Sequence, residues 1–279
     1  MTISTYTSLA RHRASPGAML GQGWRNRDLI FSLIRRDIAS KYRGSVLGMV
    51  WALLNPLLML AIYTFVFSQV FKMRWGGASN PSEFALMLFA GMLVFSFFSE
   101  TVTRAPGLIT GTPNLVKKIV FPLDIQGYVV IGSALFQSAI SLIVLIGAHI
   151  IMKGLPPATA LLIPVVFAPL SLMCLGLVWI LSALGVYLRD IGQIVGHLVM
   201  MTMFLSPLFY PESAVPERFR FFIDINPLAM LIAQSRRVLI LGDWPQWNIL
   251  GWFTLAAFAF ASFGYWLFQR TRKGFADVL

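Results

Sequence analysis

The pattern of apolar and polar positions changes character once between Trp24 and Phe71, and that change organises the rest of the chain. In WRNRDLIFSLIRRDIASKYRGS, residues 24–45, Ile30, Leu33, Ile34 and Ile38 recur at steps of three and four and share one helical face. Arg27, Arg35, Arg36, Lys41 and Arg43 occupy much of the remainder. A helix of this kind is expected to lie in a membrane interface, bases among phosphates and aliphatics at the acyl boundary. The 26 residues that follow, Val46 to Phe71, carry no charge. At about 20 residues per crossing they are enough for a transmembrane helix.

Further apolar runs follow, and six spans are predicted, at about 46–71, 84–103, 123–152, 158–187, 191–210 and 247–268. The expectation is therefore an all-α polytopic membrane protein, one transmembrane domain over 46–279 preceded by the interface helix 24–45. Residues 1–23 hold Arg11 and Arg13 and no apolar core of the kind a cleavable signal peptide needs. They are expected to form a loosely ordered cytoplasmic tail. Pro156, Pro157, Pro164 and Pro169 predict an irregular start to the fourth span, since each interior proline removes a backbone donor. Between spans 5 and 6, Leu228–Leu241 is too short and too charged to cross. With Pro216 and Pro227 near the starts of helical patterns, it suits short re-entrant helices on the outer side.

Composition supports this reading and narrows it. The chain is 57% hydrophobic and 12% charged, outside the range of soluble domains of 279 residues. Its net charge of +11 does not indicate nucleic acid, because the bases sit at the ends of apolar runs and form no continuous face. With the N-terminus inside, 15 of the 22 Lys and Arg fall in cytoplasmic segments, which places both termini in the cytoplasm. The single cysteine, Cys174, excludes a disulfide framework. His12, His149 and His197 are scattered, and no metal site is expected. Acids are few: Glu100 pairs at i,i+4 with Arg104 near the inner end of span 2, and Asp190 follows Arg189 in a tight turn between spans 4 and 5.

That scarcity weighs against two other classes of protein. A proton-coupled carrier would keep carboxylates or histidines facing a cavity. A membrane-bound glycan-synthesising enzyme would need a cytoplasmic acidic cluster, and Asp28, Asp37, Asp124, Asp190 and Asp277 are dispersed. Function without an ATPase would favour the first, and activity on a glycan precursor the second. The phosphate-cradling loop needs Gly-Lys before Ser or Thr, and that dipeptide is missing from the chain. Nucleotide-driven transport would therefore need a second polypeptide.

Two constellations remain. In the inner loop after span 2, Thr112-Pro113 reads as an N-cap and first helical residue, opening a short helix that ends near Phe121-Pro122. Such a helix could act as a lever for a cytoplasmic partner, although a connecting loop with topology-setting lysines fits as well. The other is aromatic. Trp51, Tyr63 and Phe67 on span 1, with Phe204, Phe209 and Tyr210 on span 5, are candidates for the wall of a conduit, together with Asn55 beside Pro56. Rings hold sugars weakly and without regard to their order; the competing reading is a lipid-facing aromatic belt. Gly192 and Gly196 permit close helix approach at the inner end of span 5.

The segments RRDIASKYRGSVLGMVWALLNPLL (35–58), NLVKKIVFPLDI (114–125), LRDIGQIV (188–195) and SPLFYPESAVPERFRFFIDINPLA (206–229) occur in that order. Together they resemble the membrane subunit of type 2 ABC transporters that export polysaccharides, the O-antigen, capsule and teichoic-acid exporters, and most of all the O-antigen exporters. The resemblance covers roughly residues 25–270. It implies a homodimer of six-span subunits in the bacterial inner membrane, with two separate ATPase subunits that bind ATP and Mg. No cofactor in this chain and no nucleic-acid partner is implied. The interface helix and the loop after span 2 would dock on the ATPases, which makes Arg35, Arg36, Asn114, Lys117, Lys118 and Asp124 the coupling candidates. The outer helices would gate an aromatic-lined channel for a glycan carried on undecaprenyl diphosphate.

Overall fold

A computed structural model describes residues 15–70, 81–113 and 121–278. Among them every regular element is helical. Helix α1 (Pro16–Arg25) begins where Ser15 Oγ accepts a hydrogen bond from the Ala18 amide at 3.2 Å, with Pro16 in the first turn. The expected loose tail is thus helical from Pro16, and it is held in place. Met19 is buried, and its carbonyl accepts from Tyr128 Oη at 2.7 Å.

Helix α2 (Arg27–Tyr42) follows after Asn26. Its apolar face packs on protein: Ile30 is buried, and Ile34 sits against the backbone of Gly132 on helix α6 (Ile125–Lys153). The first membrane helix, α3 (Val50–Tyr63), starts four residues later than the apolar run. Gly44 and Gly48 adopt φ of +83° and +52°, a left-handed backbone that glycine tolerates and that breaks the helix. Val46, Leu47 and Met49 therefore lie in the connection, exposed. A π-helical stretch, Thr64–Val70, continues α3.

Helix α4 (Pro81–Arg104) and a single turn α5 (Gly107–Thr110) lead to α6. The proline-rich approach to the fourth span is a 3-10 turn, Ala158–Leu162, and the α-helix proper, α7 (Ile163–Tyr187), carries Pro164 in its first turn and Pro169 inside. Helix α8 (Ile191–Leu205) has 15 residues, fewer than the span 191–210 expected. Ser206 precedes Pro207, a position that disfavours the helical region, and it is extended at φ −90°, ψ 144°. Phe209 and Tyr210 thus lie beyond the helix. The outer segment holds α9 (Glu217–Asp224) and α10 (Pro227–Arg236), then a π turn Arg237–Leu241 closed by Gly242 at φ +78°. Helix α11 (Trp247–Thr271) and the short α12 (Phe275–Val278) complete the chain.

Five helices are long and apolar enough to cross a membrane, and α8 is a shorter apolar sixth. Their packing centres on α7 and α11, which meet through small residues. A Cβ on Gly264 would lie 2.5 Å from the Gly176 carbonyl oxygen, and one on Gly176 would lie 3.0 Å from Ala261 Cα. Lipid tails are as apolar as leucine, so such close approach replaces the hydrophobic effect as the main source of helix association. Trp179, fully buried, packs edge-on to Tyr265 at 5.0 Å beside this crossing. By contrast α3 is little covered by the rest of the chain, and one side of α8 is bare.

Replacing Gly264 by Val should force α7 and α11 apart, with a destabilisation of about 1–3 kcal/mol or more, as overpacking does elsewhere. A lowered thermal midpoint of the detergent-solubilised protein is the expected result. An unchanged midpoint would show that this crossing does not limit stability.

Candidate functional site

Three polar clusters and one aromatic cluster could carry function. At the end of α4 near Arg104, four charges join α2 to α4. Arg104 Nη2 lies 2.8 and 2.9 Å from the two Asp37 oxygens, and Lys41 Nζ lies 2.8 Å from Glu100 Oε1. The expected Glu100–Arg104 pair is present at 3.9 Å, so the four form one chain. All are partly exposed, and each contact contributes at most about 1 kcal/mol. Their joint effect is positional. Tyr42 Oη donates to Gln137 Oε1 at 2.8 Å, and Gln137 Nε2 donates to the Ala52 carbonyl at 3.0 Å. One amide on α6 therefore ties the end of α2 to the first turn of α3. Arg35 and Arg36 are exposed, and Arg36 shares with Asp37 and Arg104 the wall of a groove beside these anchors.

Asp124 is different from what the sequence suggests. It is completely buried, so it cannot offer a docking surface. Arg272 Nη1 lies 3.5 Å from its carboxylate, and Tyr265 Oη donates to it at 3.4 Å. The Asp124 carbonyl accepts from Trp179 Nε1 at 3.0 Å, while Arg272 Nη2 donates to the Phe121 carbonyl at 2.8 Å. Asp124 therefore positions the start of α6 against the end of α11. Asn114, Lys117 and Lys118 lie outside the described residues, as does the short helix expected there after Pro113.

At the other end of α4, Arg236 is 4% exposed. Its Nε donates to the Met87 carbonyl at 2.9 Å, Nη1 to that of Pro207 at 2.6 Å, and Nη2 to that of Leu208 at 2.9 Å. A Cβ on Gly91 would come 2.9 Å from Nη2, so glycine leaves the room the guanidinium needs. Ser235 Oγ adds a bond to the Ala90 carbonyl at 3.2 Å. The Arg236 pKa is drawn down to about 9 by burial, with Glu212 acting against the shift, and the group stays cationic at neutral pH. One side chain thus joins α4, the break after α8 and α10. Sequence inspection registers Arg236 only as an interruption of an apolar run, and that interruption is the one signal it offers.

The aromatic candidates divide. Phe67 stacks on Phe209 at 5.9 Å, Phe209 meets Phe204 at 6.3 Å, and Tyr63 meets Phe67 at 6.4 Å. Tyr210 Oη donates to the Phe204 carbonyl at 3.0 Å. Five of the seven conduit candidates are therefore brought together, around the C-terminal ends of α3 and α8. Trp51 and Asn55 are not with them. They lie near the start of α3, and Trp51 is about 24 Å from Phe67 along the axis at 1.5 Å per residue.

A separate cavity of about 540 Å³ lies behind α8, with Phe98, Met173, Phe222, Phe253 and Phe260 among its walls. Its polar side chains are already engaged: Thr202 Oγ1 with the Leu198 carbonyl at 2.7 Å and Asn226 Nδ2 with Ser206 Oγ at 2.8 Å. Such a cavity suits hydrocarbon and offers little to a sugar. Among the described residues no group of three or more His, Cys, Asp or Glu could hold a metal ion.

These features define a polytopic helical membrane protein, with clamps at both ends of its bundle and no nucleotide loop. Residues 28–240 match the ABC-2 type transporter family, and the chain belongs to it. It is 25% identical over 256 residues to the O-antigen export system permease protein RfbA of Klebsiella pneumoniae, covering 90% of this chain and 95% of that protein. The Myxococcus xanthus protein of the same name is 28% identical over 214 residues, 76% of this chain and 80% of that one. The polysialic acid transport protein KpsM of Escherichia coli is 24% identical over 232 residues, 80% and 87% respectively.

Arg236→Leu should leave three buried carbonyls without a donor, at about 1–3 kcal/mol for each that water cannot reach. The outer segment 206–226 should then be cut faster by protease in the assembled protein, while Arg236→Lys, which can keep part of the contacts, should fall between. Equal protection in all three would show that Arg236 does not hold this region.

Proposed function

We propose that this chain is the membrane-spanning subunit of an ATP-driven exporter that moves a lipid-linked polysaccharide from the inner to the outer face of the inner membrane. The observation that carries this reading is the likeness, along most of the chain, to permeases named for O-antigen export and to a polysialic acid transport protein. The O-antigen permeases make O-antigen the preferred cargo, and the KpsM likeness keeps a capsular polymer as the second.

In this reading α8 and the segment to Pro211 together make the fifth of six crossings, and both termini are cytoplasmic. The interface helix expected over 24–45 is α2 (Arg27–Tyr42), since Asn26 separates it from α1, and residues 46–279 form the transmembrane domain with re-entrant helices α9 and α10. Two copies and two separate ATPase subunits build the transporter, and the ATPases bind ATP and Mg. The glycan is carried on undecaprenyl diphosphate.

A glycan cannot cross hydrocarbon with its hydroxyls unsatisfied, since each such group costs several kcal/mol there. Protein must wall the path. The bare sides of α3 and α8 and the ring cluster between their outer ends support a conduit formed by these two helices. Phe67, Phe204, Phe209, Tyr63 and Tyr210 would hold sugars at its outer end, with Trp51 and Asn55 near the inner end. Arg35, Arg36, Asn114, Lys117 and Lys118 would face the ATPase. Asp124 and Arg272 would transmit its movement from the inner loop to α11.

Deleting the gene in its own host should abolish the surface polysaccharide while lipid-linked glycan accumulates inside, and a plasmid copy should restore it. Unchanged surface glycan would overturn the reading. The purified chain alone should hydrolyse no ATP, and hydrolysis should appear when the partner ATPase is added; magnesium-dependent turnover by the pure chain would be equally fatal to it.

A further inference from the structure

We infer that Arg189, Gln193 and His197 form a hydrogen-bonding ladder that contacts the sugars of the glycan in the inner half of the conduit. This rests on the exporter reading above, and it adds a polar glycan-contacting site on α8 in the half of the conduit where only Trp51 and Asn55 of α3 are otherwise placed.

Helix α8 has three distinct sides. At about 100° per residue, Ile191, Val195, Val199 and Thr202 share the side turned to the bundle, and Val195 and Val199 are buried. Roughly a quarter turn away, Ile194, Leu198, Met201 and Leu205 make a wholly apolar exposed side, fit for lipid. The side opposite Val195 carries Gln193, His197 and Phe204, flanked by Gly196 and Met200 and prolonged below the helix by Arg189. This polar side is exposed as well, and a groove of about 560 Å³ runs along it, lined by Arg189, Gly192, Gln193, Gly196, His197 and Met200.

An amide and an imidazole within an apolar helix are costly against lipid. Among the described residues neither the Gln193 amide nor the Arg189 guanidinium has a hydrogen-bond or ionic partner, and His197 uses only Nδ1, on the Gln193 carbonyl at 2.8 Å. Three exposed sets of polar atoms, running from the turn before α8 into its second turn, are thus open to acceptors and donors. Gly192 and Gly196 do not serve packing within the chain: a Cβ on Gly196 would meet nothing within 4 Å, and one on Gly192 only Pro106 Cβ at 4.0 Å. Their lack of side chains opens the groove between the ladder's rungs.

The occupant that satisfies these groups is a chain of hydroxyl-bearing rings. The ladder also continues the proposed path, since Phe204 extends the same side of α8 and meets Phe209 at 6.3 Å. Asp190, exposed beside the ladder, leaves the inner mouth with both charges and no net preference for an anion.

The test uses the complete transporter with Cys174 replaced by Ala and single cysteines at 193, 197, 194, 198, 204 and 209. A charged methanethiosulfonate reagent is applied in cells that make the lipid-linked glycan and in cells blocked at its first sugar transfer. Cysteines at 193 and 197 should label in the blocked cells and be protected at least several-fold when glycan is present, while 194 and 198 stay unlabelled. Labelling without protection, or no labelling at 193 and 197, would overturn the ladder. So would efficient disulfide formation between two copies through a cysteine at 193 or 197. Protection at 204 and 209 alone would leave the exporter conduit standing without the ladder, whereas no glycan protection at any of the six positions would overturn both. As a second readout, Gln193→Leu with His197→Leu should lower export several-fold with ATP hydrolysis retained, and Gln193→Asn with His197→Gln should recover part of it; equal export by the two pairs would also count against the ladder.

Discussion

A polar group inside hydrocarbon must find a partner on the protein, and most of this structure follows from that constraint. The hydroxyls of Thr101, Thr202 and Thr254 turn back to carbonyls one turn earlier in their own helices. Where the backbone breaks, a longer side chain is brought in: Arg236 takes the carbonyls of Pro207 and Leu208, and Arg272 takes that of Phe121. Both arginines come from elements distant in sequence. The breaks in the helices are therefore the points at which separate parts of the chain are tied together, and the bundle is fastened at its irregular places.

The same constraint separates supporting elements from working ones. Helices α4 and α7 are covered on most sides, and α7 meets α11 through glycine and alanine. Helices α3 and α8 keep large surfaces bare, and one of these surfaces is polar. A fixed scaffold and an uncovered pair of helices is the arrangement expected where a second molecule completes the wall. Helix α2 is anchored by Asp37, Lys41 and Tyr42, while Arg35 and Arg36 stay exposed. A push delivered to its outer face would pass through Gln137 to the first turn of α3.

Local signals were legible in the sequence, and distant pairings were not. Uncharged runs gave the long helices, and Pro227 marked the start of α10 in the outer segment, because length and proline position act within one element. The Ser15-Pro16 cap is equally local, but the ten-residue helix it opens is held by Tyr128, 109 residues from Met19. The end of α8 at Leu205 falls inside an apolar run, whose composition continues past Ser206-Pro207, where the backbone turns. Asp124 looked like a loop residue in a basic segment, and only Arg272, 148 residues on, shows that it is buried. The five rings that meet were chosen for their chemistry. Their meeting depends on a π-helical stretch after α3 and on the break after α8, and composition encodes neither.

The Arg236 clamp grips main-chain carbonyls, and every residue has one. Side chains at 209–211, beyond the buried Ser206 and Leu208, can therefore be exchanged over evolutionary time without loosening the support beneath them. A rim built this way can be re-lined for a new polymer by ordinary point mutation, while the arginine and the glycine that makes room for it stay as they are. Diversity of cargo and constancy of frame are then compatible within a single fold.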